Sequence, residues 1–264
     1  MAGLASQPVA GFVPTPPRVV AALGHQLTVA TAGAKRVVRV LDPCAGNGEP
    51  AATLARALDV ESYGIELNEE RAEQCRARLD HLLTTSAFSV RLTNGAFSLL
   101  WLIPPDDADD EKRRLEHAFL TSLSRVLCPG RVLAFLIPQP RLAVSARYLA
   151  AHYTAFRAYR FPAPEFAAFQ QIALLATMKP QPTSDPQAQA RLEAWSDANL
   201  PPLPDAPDGP RVVVPALLRT DILFAPLAFD PHLAVRKARR RGVWAQQPAF
   251  TEQLWPPTSF RCGR

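Results

Sequence analysis

Nine residues, LDPCAGNGE at positions 41–49, join a predicted strand to a predicted helix through a turn that contains two glycines. The strand is the β-branched run from Arg36 to Leu41, and the helix runs from Glu49 to Leu58 with alanine and leucine at helical spacing. Gly46 and Gly48 leave room for a ligand close to the backbone, and the helix N-terminus offers free N–H groups. The pattern therefore predicts a ligand-binding turn at the carboxyl end of a strand.

Strand and helix patterns alternate through the first 180 residues. Further strands are predicted at 62–66, 88–92, 99–103 and 131–137. Further helices are predicted from Asn68 to about Leu83 and from Lys112 to Leu127, the second ending at the stop signal Cys128-Pro129-Gly130. This alternation predicts the α/β class: a mostly parallel, Rossmann-like sheet flanked by helices.

The character of the chain changes after Lys179. Fourteen of the 27 prolines lie from Pro180 onward, and proline is excluded from helix interiors and central strands. We therefore predict a main domain over 1–180 and a small proline-rich C-terminal region over 181–264. Within this C-terminal region, an apolar pattern typical of ordered segments occurs only at residues 211–218 and 222–229.

Net charge, cysteine spacing and the length of apolar runs indicate which partners and which compartment suit this protein. The net charge is +5 and the pI about 9.3, which permits a nucleic-acid partner without requiring one. The four cysteines are scattered and form no Cys-x-x-Cys pair, which favours a reducing cytoplasm and neither a disulfide framework nor a structural metal. No apolar run approaches the roughly 20 residues that span a bilayer.

The pattern Asp-Pro-x-x-Gly-x-Gly at 42–48 resembles the first motif of the class I, S-adenosyl-L-methionine-dependent methyltransferases. The resemblance implies that this turn lies under the methionine part of the cofactor, with contacts from Asp42, Pro43, Ala45, Gly46 and Gly48. Glu66 ends the next predicted strand, followed by Leu67. A carboxylate there has two acceptor oxygens for the two ribose hydroxyls.

Two further segments resemble the N6-adenine DNA methyltransferases within that class. GFVPTPP at 11–17 is similar to their Pro-Thr-Pro segment, which implies that Pro14 and Thr15 lie near the cofactor carboxylate. Without that context the segment is a proline-stiffened lead-in to a helix. Asn94 stands where the family often has an acid that contacts the adenine amino group, so Asn94 is a further candidate.

The catalytic motif of the family is Asn-Pro-Pro-Tyr, and it follows the fourth strand. Here the corresponding residues are Ile103, Pro104, Pro105 and Asp106. In the family the asparagine and a proline carbonyl accept hydrogen bonds from the target amino group, and the tyrosine stacks on the flipped base. Isoleucine has no acceptor, and losing such a bond costs about 2 to 4 kcal/mol in the transition state. Losing the stacking surface costs about another 1 to 3 kcal/mol.

Three interpretations of this altered motif stay open. The chain is a degenerate member that binds the cofactor without catalysis, a methyltransferase with another target, or an adenine methyltransferase of low activity in which an aspartate substitutes as acceptor. RNA, protein and small molecules are the other substrate classes, because the cofactor fold alone does not choose a substrate.

A basic run near the C-terminus is the candidate contact for DNA. Arg236, Lys237, Arg239, Arg240 and Arg241 put five positive charges in six residues, and such a run neutralises phosphates or forms a solvated surface. The stretches 114–120, 129–138 and 161–176 are similar to an uncharacterised family of methyltransferase-like proteins of bacterial plasmids and other mobile elements. Members of that family tend to continue further, so a truncated or frameshifted C-terminus is one interpretation that stays open.

Overall fold

The computed structural model describes residues 15–30, 36–105, 114–207, 209–218 and 220–227. Within these ranges lie seven α-helices: α1 (Pro17–Gln26), α2 (Glu49–Leu58), α3 (Glu69–Arg76), α4 (Leu115–Leu123), α5 (Leu142–His152), α6 (Glu165–Phe169) and α7 (Pro186–Ala194). The same ranges contain thirteen strands: β1 (Leu27–Val29), β2 (Arg36–Val37), β3 (Arg39–Asp42), β4 (Glu61–Glu66), β5 (His81–Thr84), β6 (Val90–Leu92), β7 (Phe97–Leu102), β8 (Leu127–Pro138), β9 (Tyr153–Arg160), β10 (Gln171–Met178), β11 (Val212–Val214), β12 (Leu217–Leu218) and β13 (Phe224–Pro226).

Seven of the strands form the central sheet, in the order β5-β4-β3-β7-β8-β10-β9. Neighbouring strands are parallel except β10, which runs antiparallel to both β8 and β9. The predicted fold class, a mostly parallel Rossmann-like sheet flanked by helices, is confirmed.

Strand order reverses between β3 and β7, because β4 and β5 follow β3 to one side whereas β8 follows β7 to the other. At such a switch point the loops leaving the two central strands diverge and open a crevice outside their carboxyl ends. The turn after β3 and the loop after β7 flank this crevice, so the topology alone brings the two predicted motifs to the same edge of the sheet.

Both faces of the sheet are covered. Along β7, Leu100 and Leu102 belong to one apolar cluster with residues of α4, α5 and α7. Leu99 and Trp101 point to the other face and pack with residues of α1 and α2. A central strand that is buried on both faces reads as a continuous apolar run, which is why the sequence predicted it well.

The helix predicted to reach about Leu83 ends at Arg76, and residues 81–84 form β5. The reason is a side-chain bond: Asp80 accepts hydrogen bonds from the backbone N–H and the hydroxyl of Ser62, at 2.8 and 2.7 Å. These bonds hold the chain beside β4, where His81 pairs with Tyr63. The helix predicted to run to Leu127 also ends early, at Leu123. Cys128-Pro129-Gly130 lies within the bounds of β8 and not between two elements.

The compact unit that contains the sheet extends to Pro226, beyond the predicted boundary at residue 180. Helix α7, which the sequence analysis missed, is capped by Asp185, whose carboxylate accepts the Ala188 N–H over 3.0 Å. The two segments expected to order form β11, β12 and β13, and these strands pair with β1, β2 and β6. A second unit, Leu227–Arg264, falls outside the described residues apart from Leu227.

Across the described ranges, none of the helices combines the length and the apolar character needed to cross a bilayer.

Candidate cofactor and acceptor site

The turn between β3 and α2 folds back over the end of β4. Ala45 donates its backbone N–H to the Ile65 carbonyl over 3.0 Å, and Gly48 donates to the Ala45 carbonyl over 2.7 Å. Gly46 and Gly48 have φ angles of 56° and 80°, a left-handed conformation that side chains with a Cβ disfavour. The glycines at these two positions are therefore required by the backbone path itself.

Gly48 has a second reason to be glycine, and it differs from the one that the sequence suggested. A Cβ at this position would lie 2.7 Å from the Cys75 Sγ and 3.1 Å from the Cys75 Cα. Both distances are shorter than an ordinary van der Waals contact. Thus α3 approaches Gly48 closely, and the close approach of a ligand at this glycine stays a prediction.

Glu66 closes the site at the end of β4, and its carboxylate is 5% exposed. One oxygen, Oε2, accepts the Gly46 N–H over 2.8 Å. The other, Oε1, accepts the Asn68 N–H over 2.7 Å and two guanidinium N–H groups of Arg71, at 2.9 and 3.2 Å. The turn after β3 and the acid after β4 are therefore joined by a direct, buried hydrogen bond. Leu67 follows Glu66 and is half-buried.

Asp42 is a buried carboxyl at the carboxyl end of β3, and Pro43 beside it is also buried. Burial raises the pKa of Asp42 to about 7; the hydrogen bond from the Cys44 N–H opposes this shift, and the charge of Glu66 adds to it. Burial, together with the charges of Asp42 and Glu66, raises the pKa of the Cys44 thiol well above its usual range. Cys44 is therefore a thiol at neutral pH and a poor nucleophile.

A small cleft lies between the first turns of α1 and α2. Its lining is made up of Thr15, Pro17, Val20, Asn47, Glu49, Pro50 and Thr53. The Asn47 side chain accepts the N–H of Glu49, the first residue of α2, over 3.1 Å. The cleft brings Thr15 next to Asn47 of the glycine turn, whereas Pro14 lies outside the described residues. The contact of Thr15 with the cofactor carboxylate stays a prediction.

An ion pair fixes the beginning of α1 to another loop at the same edge of the sheet. The guanidinium of Arg18 donates to the carboxylate of Glu165 and to the carbonyl of Ala163. Both acceptors lie between β9 and β10, and the neighbouring Phe169 is 43% exposed. The side chains of Arg18 and Phe169 are thus candidate site residues that the sequence analysis missed, because only the folded chain brings this loop to α1.

The residues that resemble the catalytic motif of the adenine methyltransferases follow β7 at the switch point. Pro104 is buried, and Ile103 and Pro105 are half-buried. The Ile103 side chain packs against the apolar cluster beneath α1, so it continues the core of the sheet. Asp106 and the basic residues Arg236, Lys237, Arg239, Arg240 and Arg241 lie outside the described residues.

Asn94 is not brought together with the other candidates. It precedes β7, and because β7 is parallel to β3 its amino end lies at the opposite edge of the sheet. There the Asn94 side chain accepts a hydrogen bond from Arg125 over 2.8 Å. Asn94 was expected at the adenine because the sequence predicted residues 88–92 as the third strand of the sheet. In the structure β5 is that strand.

The loop after β5, residues 85–89, lies where Asn94 was expected. Thr85 donates its N–H to the Glu66 carbonyl over 3.0 Å, which ties the loop to the predicted ribose-binding acid. Phe88 is 45% exposed, and its ring centroid is 4.5 Å from that of Phe119. The signal in the sequence was the run His-Leu-Leu-Thr-Thr at 81–85, whose two threonines favour a strand over a helix.

The fold and the turn after β3 define a class of protein, the Rossmann-like methyltransferases. The sequence profile of the Uncharacterised methyltransferase family (DUF6094) matches residues 2–217. The chain belongs to this family. S-adenosyl-L-methionine is the cofactor that goes with it.

Several solved structures are similar to this chain. A predicted O-methyltransferase from Agrobacterium tumefaciens is 18% identical over 60% of this chain and 80% of its own, with a TM-score of 0.44. An RNA methyltransferase from Salinibacter ruber, in complex with S-adenosyl-L-homocysteine, is 14% identical over 66% and 98%, with a TM-score of 0.42. A SAM-dependent methyltransferase from Thiobacillus denitrificans, also with S-adenosyl-L-homocysteine, is 15% identical over 67% and 95%, with a TM-score of 0.45. No curated protein sequence matches.

Proposed function

We propose that this protein binds S-adenosyl-L-methionine at the carboxyl edge of the sheet and transfers its methyl group to an acceptor at Pro104 and Pro105. One observation carries the proposal: Gly46 donates to Glu66 over 2.8 Å at the switch point of the sheet. This bond joins a left-handed glycine turn to a buried carboxylate, which are the two parts that a nucleoside cofactor needs.

Different residues of the site bind different parts of the cofactor. Glu66 is the acceptor for the ribose hydroxyls, and the residues after β5, from Thr85 to Phe88, form the wall for the adenine. Thr15, beside Asn47 in the cleft between α1 and α2, holds the amino-acid end. When bound, the cofactor supplies an electrophilic methyl group. The side chains that bind the cofactor keep this methyl group oriented toward the loop after β7 and exclude water from the methyl group.

The acceptor class that we propose is the amino group of a nucleic-acid base, adenine in DNA first. The support is the pair Pro104-Pro105 in the loop after β7, together with the basic run at 236–241. With isoleucine at 103, the acceptors for the base are main-chain carbonyls and an aspartate after Pro105, Asp106 or Asp107. Weak N6-adenine methylation is the result.

Calorimetry with S-adenosyl-L-methionine tests the cofactor site. Wild-type protein is expected to bind at micromolar concentration, and Gly46→Asp and Glu66→Ala to lose binding while remaining folded by circular dichroism. Tritiated cofactor then reports transfer to DNA, RNA, protein or small molecules. A folded wild-type protein without measurable binding would refute the proposal.

A second candidate function, a non-catalytic module that binds cofactor and nucleic acid, is favoured by the packing of Ile103 into the core beneath α1. The double variant Ile103→Asn, Asp106→Tyr separates the two functions. If methylation of DNA appears only in this variant, the wild-type chain is the module. If wild-type protein already transfers label, it is the enzyme.

A further inference from the structure

The Oε1 oxygen of the Glu66 carboxylate is already fully used as an acceptor in the structure, whereas Oε2 accepts the N–H of Gly46. Each oxygen of an ionised carboxylate offers about two lone-pair positions, and three of the four N–H groups that point at this carboxylate go to Oε1. The four groups come from Gly46, Asn68 and, twice, the guanidinium of Arg71. Because the Glu66 side chain is also 5% exposed, a ribose that places one hydroxyl on each oxygen reaches Oε1 only if existing donors leave.

The four donors differ in how easily they leave. The Gly46 N–H belongs to the left-handed turn. The Asn68 N–H belongs to the cap of α3, which the Asn68 side chain closes by accepting the Arg71 N–H over 2.9 Å. Moving either would disrupt backbone structure. The guanidinium of Arg71, by contrast, sits at the end of a flexible side chain that is 19% exposed, so rotation of its side chain releases two donors at once.

We propose that Arg71 competes with the cofactor ribose for Glu66, so that binding exchanges the Arg71–Glu66 ion pair for hydrogen bonds from the ribose to Glu66. This inference rests on the proposed function. Arg71 keeps the buried carboxylate satisfied before binding and sets the affinity of the site, because its bonds to a charged group must be broken.

Calorimetry with S-adenosyl-L-homocysteine on wild-type, Arg71→Met and Arg76→Met proteins tests the exchange. Arg76 is the matched control because it lies on the same helix, is 57% exposed and pairs with Glu73. Arg71→Met is expected to bind roughly tenfold tighter, and Arg76→Met to bind as wild type. The gain should shrink for the 2′-deoxy form of the ligand. Equal or weaker binding by folded Arg71→Met overturns the inference.

A measurement on wild-type protein covers the case in which the variant does not fold. Solvent exchange of the Arg71 Nε–H, followed by nuclear magnetic resonance, should be slow in the free protein and faster with S-adenosyl-L-homocysteine bound. If the solvent exchange rate of the Arg71 Nε–H is the same with and without bound ligand, the proposed replacement of the Arg71–Glu66 ion pair is wrong, while the proposed function is unaffected. Failure of wild-type protein to bind would overturn both.

Discussion

Gly46 and Glu66, twenty positions apart, are joined by a buried hydrogen bond of 2.8 Å between the Gly46 N–H and the Glu66 Oε2. The bond links the turn after β3 to the end of the neighbouring β4, and so it fixes the acid relative to the glycine turn. A cofactor that contacts both elements therefore meets a preorganised pair, which lowers the entropic cost of binding.

We expect Glu66→Gln to weaken binding of S-adenosyl-L-methionine at least tenfold. The amide keeps one acceptor oxygen and replaces the other with an NH₂ donor, so one ribose hydroxyl loses its acceptor on binding, and a buried polar group left unsatisfied costs about 1 to 3 kcal/mol. Glu61→Gln is the control, because Glu61 lies at the other end of β4, paired with Arg39. Calorimetry measures both; equal loss in the two variants would contradict the assignment of the ribose to Glu66.

Local sequence signals predicted the turn at 41–49, helix α2 and Glu66. These features are encoded within a few residues, by glycines with positive φ, by a buried strand and by an acid at the end of the next strand. The pairing of the turn with Glu66 followed from the parallel sheet, since the carboxyl ends of parallel strands meet at one edge.

The missed features depend on contacts that are distant in sequence. Strand β5 forms because Asp80 binds Ser62, eighteen positions earlier, and its misassignment moved the adenine-side candidate to Asn94. The ion pair of Arg18 with Glu165 spans 147 positions. Helical periodicity in a window of a few turns contains no information about either contact.

Gly48→Ala is expected to destabilise the fold more than Gly130→Ala does. Both glycines have positive φ, at 80° and 77°, so each substitution carries a backbone cost of about 1 to 2 kcal/mol. Only at Gly48 does the new Cβ also collide with Cys75, whereas at Gly130 no atom of the described residues lies within 4 Å of it. The collision adds about 1 to 3 kcal/mol. Urea unfolding compares the two variants, and equal midpoints would argue against the packing role of α3.

Val214→Asp tests whether the residues beyond position 180 stabilise the main unit. Val214 is fully buried in β11 and pairs with Val29 of β1, while its neighbour Val213 is 51% exposed. A buried unpaired charge costs about 3 to 5 kcal/mol, so Val214→Asp should lower the free energy of unfolding by that amount. Val213→Asp should change it by about 0.5 kcal/mol or less. If both variants unfold like wild type, the segment contributes nothing to the stability of the sheet.

Asp42 should make the free energy of unfolding fall as pH rises, whereas a salt-bridged surface carboxylate makes it rise. Its pKa in the folded protein is about 7, against 3.8 for the ordinary group. Between these values the unfolded chain releases its proton while the folded protein retains it. The unfolded state therefore binds fewer protons, and the free energy of unfolding falls as pH rises from about 4 to 7 and is level above that range.

Asp42→Asn isolates this contribution, because asparagine retains an oxygen to accept the Cys44 N–H but does not titrate. The difference in unfolding free energy, wild type minus Asp42→Asn, should decrease steadily between about pH 4 and 7 and then stay constant. Urea denaturation at half-unit pH steps measures it. Two curves that run parallel over this interval would mean that Asp42 ionises as readily in the folded protein as in the unfolded chain, and that burial beside Glu66 does not hold its proton.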